Sequence, residues 1–141
     1  MIQKNIGQTA GAGYEIGARR TFPISPQRAW ELTTSEAGLR LWLGDTIQFR
    51  LEEGLPYETR EGATGTIRVI EPGEHLRLTW QPPDWPHAST IQVRIIPKGD
   101  STTIAFHQEH LAGGYEREEM YHRWQAALDG LERLASGTSK K

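Results

Sequence analysis

Residues 115–135, YEREEMYHRWQAALDGLERLA, constrain the fold of this chain more than any other stretch. Wound at helical periodicity, Met120, Trp124, Ala127, Leu128, Leu131 and Leu134 fall on one stripe, while Glu119, Arg123, Asp129, Glu132 and Arg133 lie mostly outside it. That is the pattern of one long amphipathic helix. Such a helix must bury its apolar stripe against something, and nearly everything between Tyr14 and His110 reads as short alternating strands. The expected architecture is therefore an α+β domain in which a sheet closes around a terminal helix.

The alternation is explicit along the chain. Tyr14 to Phe22 has period two and is stopped by Pro23 and Pro26. Ser25 then caps a short helix with Pro26 in its first turn, and Ser35 caps a second one that runs through Leu39 and Trp42 to a stop at Gly44. Further strands are expected at 45–51, 57–61, 65–71, 75–81, 88–96 and 101–110, separated by Glu53-Gly54, Gly62, Pro72-Gly73, the loop PPDWP at 82–86, and Lys98-Gly99-Asp100. Together with the first strand these make a seven-stranded antiparallel meander. Its inward parity carries Ile47, Phe49, Leu51, Ile67, Val69, Leu76, Leu78, Trp80, Ile91, Val93, Ile95, Ile104 and Phe106, and its outward parity carries Arg68, Arg77 and Arg94.

Domain boundaries follow: a flexible arm at 1–13, one domain at 14–136 and a short tail at 137–141. Gly7, Gly11 and Gly13 do not form a phosphate loop, because they precede a strand and lack the Lys-Ser/Thr pair. A net charge of −2 speaks against nucleic acid and against an anionic membrane surface as partners, and there is no apolar run long enough to span a membrane. With no cysteine there is no disulfide framework, and a cytoplasmic setting is expected.

The order strand, two short helices, further strands and long terminal helix resembles the helix-grip fold of the START and birch-pollen-allergen (Bet v 1-like) superfamily, SRPBCC. One branch is matched in more detail. Phe22-Pro23-Ile24-Ser25-Pro26 with Trp30, Leu32 and Thr33, then LRLWLG at 39–44, resembles its opening; GTIRVIE at 65–71, Pro72 and LRLTW at 76–80 resemble its central hairpin. FHQEHL at 106–111, Glu118-Glu119-Met120 and Trp124 to Leu131 resemble its ending. This is the branch similar to the C-terminal domain of Aha-type activators of a heat-shock ATPase. The resemblance implies an apolar cavity between sheet and helix, with Phe49, Tyr57, Trp80, Ile95, Phe106 and Gln108 contributed by the sheet and Tyr121, Trp124 and Leu128 by the helix. It implies no common catalytic motif and no cofactor. The expected partner is a hydrophobic small molecule bound without turnover. A chaperone-related interaction module and a polyketide-cyclase-like or hydrolytic enzyme are the alternatives, and homodimerisation stays open.

The residues themselves qualify that expectation. Gln108 shares the inward parity of Phe106, so its amide needs partners in the protein or on a ligand. Arg117 falls on the apolar side of the helix and Tyr121 at the stripe's edge, where they would orient a ligand or simply reach solvent. Trp85, in the proline-rich loop, is a lid, a partner contact or a packed anchor. His107 and His110 would need a bulge to reach one metal ion, so no metal site is expected.

Overall fold

The structure, a computed structural model, describes residues 8–9 and 13–137 of the chain, with side chains from Tyr14 onward. The arm expected at 1–13 and the tail expected at 137–141 fall mostly outside the described residues. Strands β1 (Gln8–Thr9), β2 (Gly13–Phe22), β3 (Pro56–Glu58), β4 (Thr64–Glu71), β5 (His75–Trp80), β6 (Ser89–Lys98) and β7 (Ser101–Leu111) form one antiparallel sheet in the order β1-β2-β7-β6-β5-β4-β3. Among the described residues there are also three helices: α1 (Pro26–Thr34), α2 (Glu36–Trp42) and α3 (Gly114–Gly137). The fold is the α+β helix grip.

Local chemistry sets the helix ends. Ser25 Oγ accepts a hydrogen bond from the Arg28 amide at 3.1 Å, satisfying one of the orphan donors at the start of α1, and Pro26 needs no partner there. Ser35 does the same for α2 through the Gly38 amide at 3.0 Å. Gly44, at φ +130°, then lets the chain leave α2 in a direction that a side chain would resist.

α3 lies across the sheet, packed against β2, β7, α1 and α2. Its buried face is Met120, Trp124, Ala127, Leu128, Gly130 and Leu131, so the stripe read from periodicity is the packing face. On the outer side Arg20 of β2 reaches Asp129 at 2.7 Å and Glu132 at 2.9 Å, clamping the far half of the helix to the sheet.

Two departures from simple alternation matter. The stretch 45–51 is not a strand: it touches the sheet only through a single bridge between Thr46 and Thr59, and Gln48 adopts φ +47°. Phe49 and Leu51 therefore pack against the core from a loop. In β4 a bulge after Ile67 shifts the register, so that Ile67 pairs with Leu78 but Val69 pairs with Arg77 and Ile70 with Leu76. One extra residue reverses the parity. Ile70, not Val69, joins the core beyond the bulge.

Candidate functional site

The space between sheet and helix is filled by side chains. Phe106 stacks on Trp124 with centroids 4.6 Å apart and meets Trp42 at 5.7 Å. Trp124 Nε1 donates to Gln108 Oε1 at 3.0 Å, Gln108 Nε2 donates to Ser89 Oγ at 2.9 Å, and Ser89 Oγ donates to the Trp80 carbonyl at 2.9 Å. Every polar atom of the Gln108 amide that points inward is thus answered by the protein itself.

The residues expected to line a deep cavity consequently separate. Phe106, Gln108, Trp124 and Leu128 are fully buried core, and none of them lines the pocket at the mouth of the grip. Tyr57 is buried, with its hydroxyl donating to the Thr79 carbonyl, while Phe49 covers it edge-on at 6.0 Å. Ile95 lies toward the far end of the sheet, beside Trp30 and the Pro72–Glu74 turn. Arg117 Nε donates to the Glu15 carbonyl at 2.8 Å, and Tyr121 is exposed beside His122. His107 pairs with Glu15 at 2.7 Å and His110, at the β2–β7 bulge with φ +68°, lies 3.4 Å from the Thr90 hydroxyl, so the two histidines face separate partners.

Wider grooves of about 530 and 540 Å³ lie between α2 and α3 and beside Trp30 and Ile95, while at the mouth of the grip lies a pocket of about 280 Å³. One wall is the first half of α3, with Tyr115, Glu116, Glu119, Met120 and Arg123. The other is Trp80 at the end of β5 and the loop after it, through Trp85. Leu43, Thr59, Glu61 and Ala63 close the base. The loop is folded back on itself: Gln81 Nε2 donates to the Trp85 carbonyl at 2.9 Å, and the Trp85 ring meets Trp80 edge-on at 5.4 Å. Trp85 is accordingly a packed anchor and a pocket wall at once.

Arg123 is the residue that periodicity understated. It sits three positions after Met120 and four before Ala127, which brings it to the edge of the buried stripe, half-buried under the loop. Its guanidinium lies 4.8 Å over the Trp80 ring, a cation–π contact, and Nη2 makes one long hydrogen bond to the Leu43 carbonyl at 3.4 Å. Burial lowers its pKa, opposed by Glu61, Glu119 and Tyr57, and an arginine so placed stays charged. Burial likewise works against the Glu61 carboxylate, but hydrogen bonds from its own amide, the Thr59 hydroxyl and the Asp45 amide, with the Arg123 charge, hold its pKa below the ordinary value.

Tyr57 supplies a pH test of this region. Burial raises its pKa far above the ordinary phenol value, with Arg123 opposing. The folded state therefore keeps Tyr57 neutral where the unfolded chain ionises, and the stability it contributes is intact below pH ~10 and lost above it. In urea unfolding between pH 9 and 11, wild type should lose up to about 1.4 kcal/mol per pH unit more than Tyr57→Phe. Parallel curves for the two proteins would mean that Tyr57 ionises freely in the fold.

A curved antiparallel sheet gripping a long C-terminal helix, with a pocket at the open end, defines the SRPBCC (START/Bet v 1-like) class. Within it, residues 23–136 match the family model described as Activator of Hsp90 ATPase homolog 1-like protein, and the chain belongs to that family. Solved structures give the same fold. CalU16 from Micromonospora echinospora is similar at TM-score 0.77 and 22% identity over 90% of this chain and 80% of that one. An HSP90 activator from Plasmodium falciparum is similar at TM-score 0.72 and 20% identity over 87% and 96%. Protein CV1439 from Chromobacterium violaceum gives 0.73 and 20% over 85% and 95%. No curated protein sequence matches the chain. Among the described residues no helix is long and apolar enough to cross a membrane.

Proposed function

We propose that the chain binds a small, apolar or amphipathic molecule at the mouth pocket, without turnover. The observation that carries this reading is the pocket itself: Trp80, Trp85, Met120 and Leu43 present apolar surface beside a polar side made of Thr59, Glu61, Asp84, Glu116, Glu119 and Arg123, a division that suits an amphipathic molecule. At about 280 Å³ it is near the small end of ligand sites, which fits a ligand of one or two rings rather than a steroid. The tightly packed Phe106–Trp124 interior excludes a deeper binding mode.

Native mass spectrometry of freshly purified protein should show a one-to-one small-molecule adduct, or acquire one with an added bicyclic hydrocarbon such as 2-ethylnaphthalene. Trp85→Ala removes a wall and should weaken that binding about tenfold. Absence of any adduct, with no saturable change in tryptophan fluorescence, would defeat the reading.

A second reading, contact with a chaperone ATPase, draws support from the family and from Tyr115 and Tyr121, large side chains exposed by 79% and 45% on the first half of α3. Calorimetry against an Hsp90-class ATPase, with a Tyr115→Ser, Tyr121→Ser double variant that abolishes any heat of binding, is its test.

A further inference from the structure

Among the described residues, two buried side-chain nitrogens have no hydrogen-bond partner: Trp80 Nε1 and Arg123 Nε. Both belong to side chains that line the mouth pocket, and the two side chains touch through the cation–π contact. A buried donor left unanswered costs about 1–3 kcal/mol, and native folds keep few of them. Two on adjoining walls of one pocket, with no other buried side-chain nitrogen or oxygen among the described residues left without a partner, mark a place where a partner atom is missing. Both groups are donors, so the missing atom is an acceptor.

Charge narrows what carries that acceptor. Glu61, Asp84, Glu116 and Glu119 line the same pocket, facing the single guanidinium of Arg123. Glu61 is held ionised by its hydrogen bonds. An anionic ligand would gain one cation and meet four carboxylates, whereas a neutral carbonyl oxygen answers both donors without that repulsion. The apolar surface of Trp85, Met120 and Leu43 suits the ring system to which such a carbonyl is attached.

Resting on the ligand-binding reading above, we propose that the pocket selects a neutral carbonyl compound, an aromatic ketone or a molecule of like chemistry, whose oxygen accepts from Arg123 Nε and Trp80 Nε1. Both nitrogens are shut off from water, so the ligand reaches them as Trp85 and the loop around it yield. The hydrogen bonds from Gln81 Nε2 to the Trp85 carbonyl and from the Trp85 amide to the Pro82 carbonyl, with the edge-on Trp80–Trp85 contact, are the ties that must give.

The test compares three probes of one size: 2-acetylnaphthalene, 2-ethylnaphthalene and 2-naphthoate. Affinities come from tryptophan fluorescence, and the indole N–H of Trp80 is followed in a nitrogen-15 correlation spectrum. The expected result is 2-acetylnaphthalene bound at least tenfold tighter than either other probe, with a downfield shift of the Trp80 N–H that 2-ethylnaphthalene does not cause. Trp80→Phe, which leaves an aromatic ring but deletes the donor, should reduce the ratio of ketone to 2-ethylnaphthalene affinity several-fold. Arg123→Met, or Arg123→Lys where the methionine variant does not fold, should reduce it as well. Equal affinity for ketone and hydrocarbon would overturn the carbonyl assignment and leave ligand binding standing. Tightest binding of 2-naphthoate would overturn it in favour of an anion. Failure of all three probes to bind would overturn both the carbonyl assignment and the ligand-binding reading.

Discussion

Trp124→Ala is expected to lower the melting temperature by roughly 10–15 °C, corresponding to about 3–5 kcal/mol in a domain of this size. The indole is fully buried and stacked on Phe106, so truncation opens a cavity that neighbours on a rigid sheet cannot close. It also removes the donor that answers Gln108. Gln108→Leu attacks the same chain from the other side, stranding the Trp124 N–H in the core at about 1–3 kcal/mol. Because the two side chains share one hydrogen bond, Trp124→Phe combined with Gln108→Leu should cost less than the sum of the separate changes. Thermal melts of the four proteins decide it, and strict additivity would show that the bond contributes nothing.

That chain of donors does more than hold the core. It runs from α3 through β7 and β6 to the carbonyl of Trp80, the residue that forms one wall of the mouth pocket. The pocket wall is thereby fixed to the long helix by bonds that make no use of the pocket. This separates the two halves of the grip: a closed interior that sets the position of Trp80, and an open end where Trp80 and Arg123 keep donors free.

Periodicity made the first half legible. The stripe from Met120 to Leu131 and the alternation of Leu76, Leu78, Ile91, Val93, Ile104 and Phe106 appear in the structure as one core, because burial on a helix face or a sheet face imposes those repeats on any sequence. Register shifts leave no such trace. Nothing in GTIRVIE marks the bulge that turns Val69 outward, since Val69 and Ile70 are both apolar and either would serve inside. The stretch 45–51 alternates like a strand, but a strand needs a neighbour, and this one finds only Thr59.

The pocket was harder to read for a related reason. Its walls come from a loop at 82–85, a hairpin at 59–63 and one end of α3, and only the tertiary fold brings them together. Arg123 reads on a helical wheel as a solvated charge at the edge of the stripe. What makes it part of a site is Trp80 beneath its guanidinium, which helix spacing alone does not reveal. Gln108 is the opposite case: its inward parity marks a buried amide, and Ser89 and Trp124 supply its partners in place of a ligand.

Gly65→Ala should be the most damaging single-methyl addition near the site, at about 3 kcal/mol or roughly 10 °C. A Cβ at position 65 would run into the Thr79 carbonyl oxygen and lie 2.5 Å from the Tyr57 hydroxyl. Neither can retreat: Thr79 is held in the β5–β6 ladder, and Tyr57 sits directly opposite Gly65 in the β3–β4 pair with its hydroxyl bonded to that same carbonyl. Gly130→Ala offers the contrast. There the new methyl would come within 2.6 Å of Leu41 Cδ2, the end of a half-buried side chain that can rotate away, while the helix gains about 1 kcal/mol in propensity. The net effect should lie within about 1 kcal/mol of zero. Denaturant midpoints of the two variants measure the difference, and equal midpoints would show that the β4–β5 backbone accommodates a side chain after all. Because Thr64 bridges Gln81 beside Trp80, a backbone displaced at Gly65 should also disturb the pocket wall, and Gly65→Ala should weaken probe binding where Gly130→Ala leaves it unchanged.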